Sequence, residues 1–445
     1  MQRRDFVRVL AAASLSGAGG AARPQGGLMR FTLSERGCGR ATGYAETNKI
    51  VTWHDKTHVA WLDSPPEGFR VRARTLDRLT GEWSPTCTVG EAFDNHGGPA
   101  LTVDGEGYLH IVYYPHHHPF RYRRSQRPND ASAWTDEVQF GKRCTYPCLI
   151  CGQDGTLYLS CRESTGTQWT LNLYRKAPGH DWEGPTVVLH GDAPGGYTRW
   201  QASLAFGRDH HTIHMGFMIY EGQPKGNGYL VGYLQSPDGG VTWRRSDGVR
   251  VMLPATPATV EAVASADAST GPQNFRPGST AVDLSDRPWL IYSRLDTQPY
   301  AAWLACLEGP GRWRHIPLLE VVQERWLERA VQTPGEVVFG QDGTMYVAVT
   351  TVRADSDFEN SFWGDTTDEV ALLVSTDEGA SFTCLPISEA DPTTPNWLPS
   401  LERPTGHNVI TLAGLVYTSG PRGDGNQQLL SNRVVWVDCA QALRL

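Results

Sequence analysis

The sequence predicts an all-β fold, a seven-bladed β-propeller, and three observations carry that prediction. The first is composition. The 445 residues include 47 Gly, 29 Pro and 15 Trp, with hardly any long Ala/Leu/Glu/Lys runs, which favours many short strands joined by turns. The second is repetition. GYLHIVYY (107–114), GTLYLSCR (155–162), HTIHMGFM (211–218), RPWLIYSR (287–294) and GTMYVAVT (343–350) are variants of one strand. Each follows a Gly/Asp turn and an earlier apolar strand such as PALTVD, PCLICGQD or GEVVFG. The third is that each unit continues into a further strand, among them FRYRRS, TLNLYRK, GYLVGYLQS, AAWLACLEG and EVALLVS. A sheet of four strands cannot bury both faces alone, and radial stacking of several such sheets solves that problem. A β-sandwich with long insertions is the alternative, but it does not account for internal repeats.

Taken in order, the chain opens with Arg3 and Arg4 in RRDFVRVL, followed by the apolar LAAASLSGAGGAA. This resembles a twin-arginine export signal with cleavage near Ala21 or Ala22, so residues 1–22 are expected to be a leader and the protein periplasmic or secreted. Residues 23–48 read as a Gly-rich, polar entry segment, and 49–445 as a single propeller domain. KIVTWHDKTHVAWLDS supplies two short strands with a turn, and RVRARTLD a third. SPDGGVTW (236–243) and STDEGASF (375–382) fit the Ser-x-Asp-x-Gly-x-x-aromatic turn called an Asp box, in which the Asp side chain satisfies backbone donors and the aromatic packs beneath. VVQERWLERAVQ (321–332) is the best candidate for a short helix.

Other function classes recede on composition. A net charge of −8 argues against nucleic acid, whose binding rests on phosphate neutralisation. No apolar run of spanning length follows the leader, so no membrane partner is expected. Nine cysteines leave at least one unpaired. Cys148-x-x-Cys151 lies in a strand without a second matching pair, so most of the cysteines read as small core residues rather than metal ligands.

The chemistry gathers in 94–125, DNHGGPALTVDGEGYLHIVYYPHHHPFRYRRS. Aligning the repeats sets Pro99 on Pro147, Gly107 on Gly155, and Tyr114 on Arg162. His96 and Tyr146 then precede the first strands of neighbouring blades and face the same way, because their aligned positions differ by an even number. His116 and Arg162 fall at or just past the ends of the second strands of those two blades. Each residue alone has an ordinary structural role: a turn histidine, an exposed histidine run, a core tyrosine, a salt bridge to Glu163. Together they define one cleft without the pair of acids that glycoside hydrolysis uses. Such a set suits a uronate. Arginine meets the carboxylate with two bonds and acidifies the C5 proton, a base removes that proton, and an acid helps the 4-linked oxygen leave.

That stretch, TYPCLICGQDGTLYLSCRES and the Asp boxes resemble the BNR-repeat propeller family, and within it the ulvan lyases of the seven-bladed type. The similarity runs from about residue 49 to 439. The first two motifs are specific, whereas sialidases and many binding propellers also carry Asp boxes. The resemblance implies a polysaccharide lyase that cleaves an ulvan-like, sulfated, uronate-containing polysaccharide by β-elimination. Carried over, it makes His96 and Tyr146 the proton-transfer pair and Arg162 the carboxylate neutraliser, assisted by His116. His117 and His118 become rim residues, and Cys161 stands where the family often has a bulkier polar residue.

No cofactor is expected for catalysis, but the resemblance implies a structural zinc, for which His214, Cys306 and His315 are residue-type candidates. Asn95 and Arg199 are expected to bind substrate, with Arg121, Arg123 and Arg124 as a basic strand and Tyr197 and Trp200 as stacking platforms. A monomer is expected, with the acidic polysaccharide as its partner. For a glucuronate, the C5 proton and the leaving O4 lie on one face; for an iduronate they lie on opposite faces and two groups are needed. Two other readings share the fold. A sialidase-like hydrolase would show an arginine cluster around a Tyr–Glu pair, and none stands out. A non-catalytic glycan-binding propeller would tolerate loss of the titratable cleft residues.

Overall fold

The computed structural model describes residues 28–164, 168–191, 199–221, 227–265, 274–294, 296–356, 364–408 and 414–439. The leader at 1–22 and Tyr197 lie outside these residues. What is described is all-β apart from one short helix, arranged as five sheets of eight, seven, six, four and four strands. Within each sheet, most strands pair antiparallel with their neighbours in sequence.

The repeated segments form the strands expected of them: Leu109–Tyr113, Leu157–Ser164, Ile213–Glu221, Pro288–Arg294 and Met345–Arg353. The first two are buried along their whole length, which a strand achieves only when both faces of its sheet are covered. The outer strands are half exposed, as in Arg70–Asp77 and Arg312–Pro317. The turn entering the repeated strand needs a left-handed residue, supplied by Gly107 (φ 86°) and Gly155 (φ 79°).

One strand serves two units. Val138–Cys151 pairs through its exposed first half with His118–Arg124 and through its buried second half with Leu157–Ser164. The changeover falls at Cys144, which pairs with both His118 and Glu163; Tyr146, left-handed at φ 61°, lies at the register shift that follows it. The two turns at Ser236 and Ser375 are built alike. Asp238 Oδ1 accepts from Thr242 N (2.7 Å) and Ser236 Oγ from Gly240 N (2.7 Å), over the buried Trp243. Asp377 Oδ1 accepts from Ser381 N (2.9 Å) and Ser375 Oγ from Gly379 N (2.9 Å).

Two features differ from the sequence reading. Within the supposed entry segment, Arg30–Gly37 is a strand. It pairs antiparallel with Asn432–Val437 and, at Gly37, with Asp63, so the chain's two ends share one sheet. RFTLSERG has too few apolar residues to announce this, because an outer strand buries little. The helix is Leu318–Arg325 rather than 321–332; its last expected residues belong to the strand Arg329–Phe339, paired with Met345–Arg353. The nine cysteines are free thiols and seven are buried, in keeping with their reading as small core residues.

The first strands of the sheets meet around a polar interior. Arg403 donates to Ser203 Oγ (3.0 Å) and the Glu46 carbonyl (2.8 Å), and its Nε lies 3.8 Å from Glu336 Oε1. Glu336 accepts in turn from Leu401 N (2.6 Å) and Ser400 Oγ (3.1 Å). Lys49, fully buried, donates to the carbonyls of Tyr44 (3.2 Å) and Thr47 (2.8 Å). Burial pushes Lys49 down to about 7 and Glu336 up to about 7, each opposed by charges of the same cluster. Removing the guanidinium leaves Glu336 enclosed without its counter-ion. Arg403→Ala is therefore expected to lower unfolding free energy by about 3–5 kcal/mol, read from urea midpoints; an unchanged midpoint would contradict the assigned role.

Candidate active site

The cleft is built around Asp94, a carboxylate only 1% exposed. Its Oδ1 accepts from the backbone N of His96 (2.7 Å) and lies 3.0 Å from His96 Nδ1. Its Oδ2 lies 2.5 Å from His116 Nδ1. The two imidazoles stack, centroids 3.8 Å apart. Burial pushes the Asp94 carboxyl up, but the hydrogen bonds from His116 and His96 outweigh it and hold the group well below the usual range. Asp94 thus stays ionised and orients both rings.

The tautomer of His96 follows from its other neighbour. Arg40 Nη1 donates to His96 Nε2 (2.8 Å) and to Tyr44 Oη (2.5 Å). Because a guanidinium only donates, Nε2 carries the lone pair and Nδ1 the proton. Burial pushes His96 down to about 3; the Asp94 hydrogen bond opposes this, and the Arg40 and His116 charges reinforce it. His96 is neutral across the physiological range.

Tyr146 approaches from the next unit. Its ring meets Tyr44 edge-on (centroids 5.1 Å, interplanar 85°) and lies 6.2 Å from His96. The Arg162 guanidinium lies 4.8 Å from the Tyr146 ring centroid and 4.7 Å from that of Trp169, with Nη2 donating to Thr145 Oγ1 (3.3 Å). Arg162 is fully enclosed. Tyr146 and His117 (φ 62°) both hold left-handed backbone without being glycine, a strain of about 1–3 kcal/mol each that clusters where function needs fixed geometry.

His96, His116, Tyr146 and Arg162 therefore come together as the repeat alignment places them. Asn95 is buried next to them, its N donating to the Asn426 carbonyl (3.1 Å) and its Oδ1 enclosed without a hydrogen-bond partner among the described residues. Arg199 begins the strand Arg199–Phe206; its side chain and that of Trp200 lie outside the described residues. The basic strand is committed to structure. Arg121 pairs with Glu137 (3.3 Å) and covers the Tyr114 ring, Arg123 donates to Tyr113 Oη (3.0 Å), and Arg124 lies over Tyr108. His117 packs on His116 and Trp169, and His118 on Phe93.

The sequence reading missed Asp94 as the organising carboxylate, and missed Arg40 and Tyr44 entirely. Asp94 was visible two residues before His96. Arg40 and Tyr44 lie in no repeat, so no alignment could bring them to the cleft.

The zinc candidates do not assemble. His214 Nδ1 is bonded to Tyr233 Oη (2.6 Å) and His315 Nδ1 to Tyr292 Oη (2.9 Å), and Cys306 shares no donor group with either. Among the described residues, Asp94, His96 and His116 are the one group of three compact enough for a metal. They do not fit one as arranged: His96 Nδ1, the nitrogen facing Asp94, carries a proton, and the Arg40 guanidinium caps the other.

Residues 56–326 match the BNR repeat-containing family, and the chain belongs to that family. Among curated relatives it is similar to the Ulvan Lyase-PL25 of Pseudoalteromonas sp. (strain PLSV), 25% identical over 282 residues, 56% of this chain and 53% of that protein. It is also similar to the ulvan lyase of Alteromonas sp. (strain LOR), 31% identical over 131 residues, 24% of this chain and 26% of that one. The matches thus span about half of the first relative and a quarter of the second. In structure it resembles a PL25 ulvan lyase bound to -[GlcA(1-4)Rha3S]-, with a TM-score of 0.70, 15% identity and coverage of 91% of this chain and 94% of that one. The polysaccharide lyase Uly1 gives 0.59 at 12% identity, covering 92% and 98%. These likenesses make the fold propeller-like.

The buried histidines have a consequence for stability. His96 and His117 are pushed down to about 3, and His58 and His214 to about 4, each mainly by burial. An unfolded histidine titrates near 6.5. Between those values the unfolded chain binds protons that the folded chain does not, so stability is complete above about 6.5 and is lost as pH falls towards 4. Urea midpoints are expected to drop steadily from pH 7 to pH 4, with a shallower slope in His96→Asn. A flat wild-type profile would contradict the burial of these groups.

Proposed function

We infer that this chain is a polysaccharide lyase that cleaves a sulfated, uronate-containing, ulvan-like polysaccharide by β-elimination. The observation that carries the reading is the Asp94–His96–His116 array facing Tyr146 over an enclosed guanidinium, Arg162. The one carboxylate at its centre is engaged by two histidines, so the two free acids of a glycoside hydrolase are missing from this group. Neutral imidazole and phenol suit proton transfer, and two arginines supply positive charge where a uronate carboxylate becomes more anionic. The similarity to two ulvan lyases in sequence supports the same chemistry.

On this reading His96 and Tyr146 move the C5 and O4 protons. Arg162, with His116, stabilises the developing charge, while Asn95 and Arg199 contact the sugar chain. The sheet orders support seven four-stranded blades. The strand Val138–Cys151 joins two of them, and Arg30–Gly37 completes the last beside Asn396–Leu401, Leu415–Ser419 and Asn432–Val437. The Arg3–Arg4 leader supports export to the periplasm or beyond, where such a polymer is met. A monomer suffices, since every residue invoked comes from one chain.

Incubation with ulvan tests the reading. The expected result is near-ultraviolet absorbance from the unsaturated uronate. New reducing ends without absorbance would mean hydrolysis, and neither signal would leave a glycan-binding propeller. Tyr146→Phe and Arg162→Ala are each expected to lower turnover by on the order of 10²-fold or more with thermal melting preserved. Full activity in either would remove that residue from the machinery.

A further inference from the structure

A groove runs beside the cleft, outside the Asp94–Tyr146 array. It lies between Phe93, Tyr114 and the segment that carries Gln427 and Leu429, and encloses about 470 Å³. Phe93 is the residue next to Asp94, one Cα step of about 3.8 Å, and Tyr114 stands two residues before His116. Groove and cleft therefore share a wall.

That wall is aromatic and held in place by the backbone. The Phe93 ring packs on His118 (centroids 4.1 Å) and meets Tyr114 at a steep angle (6.4 Å, interplanar 67°). His118 Nδ1 donates to the His116 carbonyl (2.7 Å), so the ring behind Phe93 is tied to the stretch that bears His116. Tyr114 is left-handed at φ 97°, a conformation that bulky residues rarely adopt. Phe93 N donates to its carbonyl (3.0 Å), and its own N donates to Gly97 O (3.4 Å). From the opposite wall, Gln427 Nε2 donates to the Phe93 carbonyl (3.3 Å).

Two large apolar side chains nevertheless remain open to solvent in this groove, Phe93 at 37% and Leu429 at 42%. The cations nearest them are already paired. Arg70 lies 3.7 Å from Glu91 and donates to the carbonyls of Phe69 and Glu67, and Arg121 is held by Glu137 (3.3 Å). A groove of this kind offers little to a sulfate or carboxylate. It suits a pyranose ring, whose C–H face is apolar and whose hydroxyls lie at the edge.

We propose that the groove is a subsite for the sugar flanking the uronate, and that Phe93 stacks on the C–H face of that sugar. The proposal rests on the lyase reading for the identity of the flanked residue. No bond of the flanking sugar's ring changes in the reaction, so the contact is equal in ground and transition states. Such uniform binding lowers KM and leaves kcat alone. Because the contact is not an ion pair, salt does not screen it.

The test uses the full chain and ulvan, comparing the wild type with Phe93→Ala and Phe93→Tyr, with a melting curve for each. Phe93→Ala is expected to raise KM about tenfold while kcat changes less than about threefold, and to do so equally at about 50 mM and about 500 mM salt. Phe93→Tyr keeps the ring face and is expected to keep the wild-type KM. Calorimetric binding of ulvan in the Tyr146→Phe background is expected to weaken about tenfold when Phe93→Ala is added. An unchanged KM and binding constant in Phe93→Ala would overturn the proposal and leave the lyase reading standing. So would a loss carried by kcat, a defect confined to low salt, or a Phe93→Tyr as impaired as Phe93→Ala. A wild type that binds ulvan through Phe93 but forms no unsaturated product would overturn the lyase reading and leave the groove as a glycan site.

Discussion

Among the described residues, first strands such as Arg199–Phe206, Phe275–Val282 and Arg329–Phe339 pair along one edge and turn the other inward. Backbone N–H and C=O groups left on such an edge would be buried and unsatisfied, which costs about 1–3 kcal/mol each. The structure answers with side chains from the neighbouring sheet. Ser203 Oγ accepts from Thr280 N (2.9 Å), Ser279 Oγ from Val337 N (2.8 Å), Glu336 from Leu401 N, and Glu402 from Thr52 N. Arg403, Glu336 and Lys49 add charge to the same interior. Apolar side chains could pack there but could not cap those edges, so a polar centre is required by the architecture.

The same requirement ties down the candidate active site. Asn48 Nδ2 donates to the Leu101 carbonyl (2.8 Å), and Leu101 N donates back to the Asn48 carbonyl (2.8 Å), which ties the N-terminal turn to the unit that bears His96. Lys49 and Arg403 fix the carbonyls of Tyr44 and Glu46 on that turn. Interior capping and catalytic geometry thus share residues. Substitutions at Lys49 or Arg403 act on both, through stability and through the placement of Tyr44.

Electrostatics inside the cleft depends on burial more than on net charge. Asp94 keeps its charge because His116 and His96 bond it, and His96 stays neutral because it is buried beside Arg40. The result is one fixed negative charge with the guanidinium groups of Arg40 and Arg162 in the same cleft. On the proposed lyase reading, such preorganised charge favours a carbanion-like state at little reorganisation cost. The His–Tyr hydrogen bonds His110 to Tyr122 (2.8 Å), in the unit that carries His96, and His214 to Tyr233 (2.6 Å), in another, link equivalent strands away from the cleft. Histidine content alone therefore did not mark the site.

The sequence by itself determined what is periodic. A strand pattern repeated along the chain forces repeated sheets, and the same repeats placed His96, His116, Tyr146 and Arg162 at one end of two neighbouring units. It also determined the Ser–Asp turns, because their hydrogen bonds are local. What the tertiary structure decided is what periodicity cannot encode. Arg30–Gly37 joins the far end of the chain through backbone pairing that leaves little trace in side-chain pattern. Arg40 and Tyr44 reach the cleft from outside any repeat. The surroundings of His96 and Arg162 were decided by packing rather than by residue type: a guanidinium on one imidazole nitrogen, and two aromatic rings against the other guanidinium. Spacing along a strand predicts direction, but only packing decides which nitrogen or charge remains accessible.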